Sequence, residues 1–260
     1  MNMNMKKHLS IPGLLARETL LPVLGILLLV CGVQALSFHR SLRQALAAYA
    51  ADVGGGFPQL EVLLPRSAAY AWFALGYLLI TALLCLCGCQ FRAKTSYTLR
   101  RLTVSERAVF LWQWVYNILI YLLLWVVQVI LTYGLCRYYL AAAPAAAVST
   151  QTLFLAFWRS EYLHALLPLA DVALWIRNVL LLLTLGLAAA IFPYKQRRGI
   201  YSGSAIALIP YTLITFDRGI GEWSAVLLSA TVALMVTCEV IAFMLRADGE
   251  DDREEASENA

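Results

Sequence analysis

"TSYTLRRLTVSERAVFLWQW", residues 95–114, lies between two long apolar stretches and carries three Arg against a single acidic residue. Six apolar stretches in the 260-residue chain are long enough to cross a bilayer core, which takes about 17 to 25 residues. They are residues 20–36, 68–91, 109–135, 167–192, 199–216 and 223–245. With 61% hydrophobic residues, the composition exceeds that of soluble globular proteins. The sequence therefore predicts an all-α fold, a polytopic bundle of six transmembrane helices within residues 1–246.

The first apolar stretch is expected to be a membrane span and not a removable signal peptide, because five further stretches follow it. The small residues between Ala45 and Ala51 leave cleavage as the minor alternative.

Basic residues near the span ends predict the orientation, since Lys and Arg are retained on the cytoplasmic side. Eleven lie in the N-terminal segment and in the connections after the second and fourth spans, against six in the other three connections. The protein is therefore expected to lie in the plasma membrane with both of its termini in the cytoplasm.

The C-terminal stretch "ADGEDDREEASENA", residues 247–260, holds seven acidic residues and one Arg. A segment of this composition has too little apolar surface to fold by itself. It is expected to be an unstructured cytoplasmic tail.

Two of the connections predict short helices lying in the membrane interface, where Trp and Tyr prefer to sit. In residues 41–50, the helical spacing places Leu42, Ala45, Leu46 and Tyr49 on one face. In residues 152–168, it does the same for Phe154, Phe157, Trp158, Tyr162 and Leu166. Within the spans, Gly25 with Gly32 and Gly186 with Ala190 predict close approach of neighbouring helices.

Motifs for catalysis are absent from the sequence. It has no G-x-x-x-x-G-K-[ST] loop for nucleotide phosphates, no H-E-x-x-H zinc motif and no G-x-S-x-G elbow. All three His residues fall outside the predicted spans. We therefore expect no enzymatic activity of its own, no cofactor, no metal site and no nucleic-acid partner.

Ionisable and amide residues within spans are candidate functional residues, because burying them in hydrocarbon is costly. Arg177 and Asn178 in the fourth span are expected either to line a substrate path or to pair across an interface. The alternative for Arg177 is that it reaches the outer headgroups. Glu239 in the sixth span is expected to form an ion pair with Lys195 or Arg197.

The opening stretch itself predicts two helices. Thr103 to Glu106 fit the capping box [ST]-x-x-[EQ], so a helix should begin at Val104 and continue into the third span. A short cytoplasmic helix before it would expose Tyr97, Arg100 and Arg101. Such a cationic segment could contact anionic membrane lipid or a protein partner.

The layout of six spans, and this segment after the second, resembles a permease subunit of the type-2 ATP-binding cassette (ABC) transporter family. In that family the corresponding connection reads Leu-Pro-[Val/Ile]-Ser and forms a coupling helix seated on the ATPase subunit. Leu102, Val104, Ser105 and Arg107 match, and Thr103 replaces the Pro.

The resemblance implies that two permease subunits, identical or paired with a sister chain, join two cytoplasmic P-loop ATPases and move a substrate, by export, across the membrane. Tyr97, Arg100 and Arg101 would share the ATPase contact with the matching residues. The competing hypothesis is a non-transport membrane scaffold or accessory subunit that docks a cytoplasmic partner.

Overall fold

The computed structural model describes residues 3–51, 56–87, 106–197, 199–200, 202–217 and 221–258. These residues form nine α-helices and a 3-10 turn at Ala145–Ala147, with no β-strand among them. In chain order the helices are α1 (Met3–Ala51), α2 (Leu60–Arg66), α3 (Ala69–Leu86), α4 (Glu106–Ala142), α5 (Thr152–Arg159), α6 (Glu161–Leu166), α7 (Val172–Arg197), α8 (Gly203–Asp217) and α9 (Glu222–Glu258). The described part of the chain therefore has the predicted all-α fold.

Five of the described helices are long and apolar enough to cross a membrane: α1, α3, α4, α7 and α9. Their outward faces carry large apolar side chains; Leu21, Leu28 and Leu227 are 80%, 75% and 68% exposed. Apolar exposure on this scale is unfavourable in water and is the normal state of a helix surrounded by lipid. The chain is a multi-pass membrane protein.

The predicted fifth span, residues 199–216, differs from the other five. Its helix α8 has 15 residues, or about 22 Å at 1.5 Å per residue, which is less than the roughly 30 Å hydrocarbon core. Residues before α8 end the preceding helix instead: Gly199 has a left-handed φ of +69°, and Ile200 N–H donates to the Lys195 carbonyl. Together these two features form a Schellman C-cap at the end of α7. Gly199 and Ile200 therefore belong to the end of α7 and cannot also form the first turn of a longer α8. The predicted count of six spans is therefore not confirmed.

The long helices run in both directions along the bundle, which therefore has two distinct ends. Helices α1 and α4 run parallel, with Thr19 bonded to Tyr116 near their starts and His39 bonded to Tyr138 near their ends. Helix α7 runs antiparallel to α4, since Phe110 packs on Tyr194 whereas Trp125 packs on Trp175. We call the end that holds the first residues of α1 and α4 the terminal end, and the end that holds α2, α5 and α6 the short-helix end.

Helix α1 has 49 residues and is much longer than the predicted span 20–36. It continues through residues 41–50, so the separate interfacial helix predicted there is wrong. The buried face explains the continuity, because Gln34, Phe38 and Leu42 are each at most 1% exposed and follow one another at helical spacing. No Gly or Pro interrupts residues 33–51, so nothing in the sequence stops the helix there.

The interfacial helix predicted over residues 152–168 is present as two shorter ones. The break falls at Ser160, whose hydroxyl accepts a hydrogen bond from the α6 backbone and caps that helix. Phe157 and Tyr162 are buried against the bundle, whereas Phe154 and Trp158 are more than half exposed. At the same end, Ala68 joins α2 to α3 with a left-handed φ of +53°.

Gly186 permits a close approach between α4 and α7. A Cβ atom added there would lie 2.6 Å from Ile118 Cγ1 and 3.3 Å from the Ile118 backbone nitrogen. A hydrogen bond stabilises this contact: the side-chain amide of Asn117 donates to the Gly186 carbonyl at 3.3 Å. Gly186 therefore brings two helices together, as expected of a small residue in a membrane bundle.

Gly25 and Gly32 behave differently from Gly186. Both are exposed on α1, and a Cβ atom added at either would meet nothing within 4 Å. The close approach predicted from this pair therefore does not occur between the helices that the structure describes.

Helix α9 continues to Glu258 and so includes most of the acidic stretch for which the composition predicts disorder. A helix that already exists can be extended at low cost, since nucleation is the expensive step. Ala, Glu and Arg, which dominate residues 246–256, also favour the helix.

Candidate functional site

Most of the predicted ATPase contact lies outside the described residues: Tyr97, Arg100, Arg101, Leu102, Val104 and Ser105. The same is true of the capping-box residue Thr103. Glu106 is the first described residue of α4, and the Arg107 side chain next to it is exposed. Arg107 therefore lies at the terminal end, where α4 begins.

Arg177 and Asn178 form one polar cluster in the first half of α7. The Arg177 Nη2 donates to Asn178 Oδ1 at 2.8 Å and to the Ala165 carbonyl at 3.3 Å. Asn178 Nδ2 donates to the same carbonyl at 2.9 Å. Both side chains are buried, with Arg177 only 1% exposed. Arg177 therefore points into the bundle and holds α7 to the end of α6, and does not extend to the headgroups.

Every hydrogen-bond acceptor that Arg177 has among the described residues is neutral. The nearby carboxylate of Asp171 lies 3.7 Å from His164 Nε2 instead. On its other side, the Arg177 guanidinium carbon stands 5.5 Å from the centre of the Phe216 ring. A buried guanidinium is thus stabilised by an amide, a carbonyl and a ring face in place of an ion pair.

Glu239 is far from this cluster. It forms an ion pair with Lys195, one of the two partners expected from the sequence. Lys195 follows Arg177 by 18 residues on α7, which is about 27 Å along a helix. The structure thus places the predicted intramembrane residues in two separate groups near opposite ends of the bundle.

A cavity lies between α3, α4, α7 and α8, and Asn178 is the one predicted residue on its wall. Five aromatic side chains dominate that wall: Phe73, Tyr77, Tyr121, Trp125 and Phe216. We call it the aromatic cavity. Its free volume is about 60 Å³, room for about two water molecules.

Most polar groups on the wall of the aromatic cavity already donate to a protein acceptor. The Tyr121 hydroxyl donates to Thr81 Oγ1 at 3.1 Å, and Thr212 donates to the Leu208 carbonyl at 2.8 Å. The Tyr77 hydroxyl lies beside the side chains of Thr81 and Thr212. Tyr77 is only 2% exposed, so bulk solvent does not satisfy this group.

A second, more polar cavity of about 280 Å³ opens at the short-helix end. Tyr70 and Tyr162 line it, and so do Glu61 and Arg159, which pair at 3.3 Å. The Phe73 ring of the aromatic cavity packs on Tyr162, with ring centres 5.9 Å apart. A single layer of aromatic rings therefore separates the two cavities.

The hydroxyl of Tyr162 belongs to a buried polar network that joins α1, α4 and α6. Gln128 Nε2 lies 2.9 Å from both Gln34 Oε1 and the Tyr162 hydroxyl. Burial raises the pKa of the Tyr162 phenol above its usual range, so it stays protonated and able to donate. The network fixes the ring that lies between the cavities.

Sequence reasoning missed the aromatic cavity because its wall comes from four helices that are distant in the chain. Tyr77, Tyr121 and Thr212 each look like ordinary aromatic or small polar residues of a span. The available signal was the presence of Tyr in the interiors of the second and third spans, away from the interfaces that this residue prefers.

Chemically, this arrangement can bind and position but shows no catalytic grouping. In the described ranges, no three His, Cys, Asp or Glu side chains are close enough to hold a metal ion. No protein-family model matches the chain, and neither a curated protein nor a solved structure is significantly similar to it.

Proposed function

We propose that this chain is the membrane-spanning permease subunit of an ABC transporter, which couples ATP hydrolysis by separate P-loop ATPase subunits to export of a substrate. The observation that carries the proposal is the cationic sequence of residues 95–107, which lies between α3 and α4 in the chain order of a polytopic bundle. It resembles the coupling segment of type-2 permeases, and its last residue, Arg107, is exposed where α4 begins.

Charge and topology support the same arrangement. In the sequence, the basic residues concentrate in the first part of α1, between α3 and α4 and at the end of α7, so the positive-inside rule supports a cytoplasmic position for the terminal end, where an ATPase would dock. In this proposal α8 completes a sixth crossing, both termini are cytoplasmic, and the protein resides in the plasma membrane. A second permease subunit, identical or homologous, completes the transporter.

Co-purification is the direct test of this proposal. The tagged protein, isolated from its native membranes in mild detergent, should carry a P-loop ATPase in stoichiometric amount. An intact bundle that repeatedly purifies without any ATPase would instead favour a membrane scaffold that docks a different cytoplasmic partner.

A charge-reversal pair locates the contact. Arg100→Glu with Arg101→Glu should remove most of the bound ATPase while leaving the melting temperature of the bundle unchanged. The matched control is Arg40→Glu with Arg43→Glu, which reverses two charges on the far part of α1, away from the terminal end. If both double variants retain the ATPase equally, the segment is not the docking surface.

A further inference from the structure

We call the cavity of about 280 Å³ at the short-helix end the outer cavity. We propose that it binds a small monovalent organic ammonium ion that carries one apolar ring. Its wall is built by α2, α5, α6 and the start of α3 within one chain. The site lies away from Arg107 and the terminal end, so it does not rest on the transport function proposed above.

The first argument is the space in the outer cavity. Its free volume of about 280 Å³ exceeds the roughly 150 Å³ that is enough to hold benzene. One aromatic ring with a short ammonium side chain therefore fits. Arg159 and Glu161, which line the cavity, are both exposed, so a ligand can enter from the solvent at that end without movement of the helices.

The second argument is the charge of the wall. Glu61, Arg159 and Glu161 are the charged residues among the described ones that line the cavity. Arg159 pairs with Glu61 at 3.3 Å, whereas the Glu161 carboxylate has no ion-pair or side-chain hydrogen-bond partner in the described part of the chain. The wall therefore carries one uncompensated negative charge, which attracts a monovalent cation and repels an anion.

The Glu161 carboxylate is not needed to cap its own helix. An acidic residue in the first turn often stabilises a helix N-terminus. At the start of α6, however, the Ser160 hydroxyl already accepts a hydrogen bond from the Leu163 N–H at 3.5 Å. The carboxylate is therefore available to a ligand.

The third argument is the pair of aromatic rings in the same wall. Tyr70 and Tyr162 meet edge to face, with ring centres 5.8 Å apart, so they form a corner of the cavity. Their hydroxyls hold them in place, since Tyr70 donates to the Leu213 carbonyl at 2.7 Å and Tyr162 accepts from Gln128 at 2.9 Å. Ring faces attract ammonium groups and pack against apolar rings. A free carboxylate in the same wall as two fixed rings is the combination that recognises an organic ammonium ion.

Three probes of similar size and different charge test the proposal: 2-phenylethylammonium, 2-phenylethanol and 3-phenylpropanoate. Binding is measured by isothermal titration calorimetry on the purified full-length protein in phosphatidylcholine nanodiscs, and the heat obtained with empty nanodiscs is subtracted. The cation should bind saturably, the alcohol about fivefold more weakly, and the anion not at all. Added salt should weaken binding of the cation alone, because salt screens a partly solvated charge.

Two substitutions at exposed positions should change the affinity for the cation in opposite directions. Glu161→Gln removes the free carboxylate and should weaken binding about fivefold, the effect of one partly solvated ion pair. Arg159→Met leaves the Glu61 carboxylate without its partner and should tighten binding about fivefold. Damage to the fold does not explain the second effect, since a damaged site does not bind more tightly.

Asp171→Asn is the matched control. Asp171 follows α6 in the chain and lies near His164, but it is not among the residues that line the outer cavity. Removing its charge should leave the affinity for the cation unchanged, because the residue is not part of the wall.

Three results would overturn the proposal. Equal binding of the cation and the alcohol, or no saturable binding of the cation, would mean that the free carboxylate recognises no ammonium group. Tighter binding of the anion would mean that Arg159 dominates the wall. Equal weakening by Asp171→Asn and Glu161→Gln would mean that the cation responds to surface charge in general and not to this cavity.

Discussion

Lys195 of α7 and Glu239 of α9 form an ion pair at the terminal end of the bundle, where their side chains are 9% and 25% exposed. Removing either partner leaves a largely buried charge without compensation. Lys195→Met or Glu239→Leu alone should therefore lower the free energy of unfolding by about 2 kcal/mol, and the double variant should recover most of that loss. Chemical denaturation in mixed micelles provides the double-mutant cycle.

The control pair is Glu61 and Arg159 at the short-helix end, 3.3 Å apart with Arg159 54% exposed. Arg159→Met should cost less than about 1 kcal/mol, as solvent-exposed pairs do. Equal losses at the two ends would show that the Lys195 pair is effectively solvated.

The guanidinium of Arg177 depends on its neighbour Asn178. Asn178→Leu removes its side-chain acceptor and leaves the guanidinium charge buried with one carbonyl, so the free energy of unfolding should fall by about 3 kcal/mol. The double variant Arg177→Leu with Asn178→Leu removes the charge as well and should be more stable than Asn178→Leu alone. A double variant that is less stable would mean that Arg177 has other stabilising partners.

Gly186 should not tolerate a methyl group. Gly186→Ala places a Cβ atom 2.6 Å from Ile118 Cγ1, and the displacement of α4 from α7 should cost about 1 to 3 kcal/mol. Gly25→Ala, whose Cβ atom would meet nothing within 4 Å, should be neutral or slightly stabilising because Ala favours the helix. Melting temperatures of the two variants in the same detergent give the comparison, and equal values would contradict the close packing.

Ala68 stands in a conformation that suits glycine better. Its φ of +53° costs about 1 kcal/mol for a residue with a Cβ atom, so Ala68→Gly should be neutral or raise the melting temperature. The same substitution at Ala47, an exposed position within α1, should lower it, because Gly costs about 1 kcal/mol in a helix interior. Two effects of the same sign and size would mean that the turn at Ala68 is not left-handed.

The helical fold was predictable because a span needs only a long apolar stretch, and composition reports this directly. The residues at which helices begin and end were less predictable, because the apolar pattern weakens where the chain leaves the lipid. Residues 41–50 looked like a separate interfacial helix, yet the buried face of Phe38 and Leu42 continues the first helix. The helix in the fifth apolar stretch begins later than predicted, at Gly203, because apolar content does not reveal that Gly199 is needed for a turn.

The candidate site was predictable only in its charged and amide members. Arg177, Asn178 and Glu239 attract notice because such side chains are rare in spans. The partners of Arg177 were not predictable, since the Ala165 carbonyl and the Phe216 ring offer no sequence signal and become relevant only through packing. The same holds for Tyr77, which has Thr81 and Thr212 as neighbours only in the folded bundle.

The length of α1 has a mechanical consequence. At 1.5 Å per residue its 49 residues extend about 73 Å, while the hydrocarbon core is about 30 Å thick, so at tilts up to about 40° both ends stand clear of the lipid. The part of α1 that follows Pro22, the last Pro inside the helix, has no further Pro and acts as a lever arm whose pivot is the bilayer. A tilt imposed at one end moves the other in the opposite direction, and a pair of spin labels near its two ends would report that motion from both sides of the membrane.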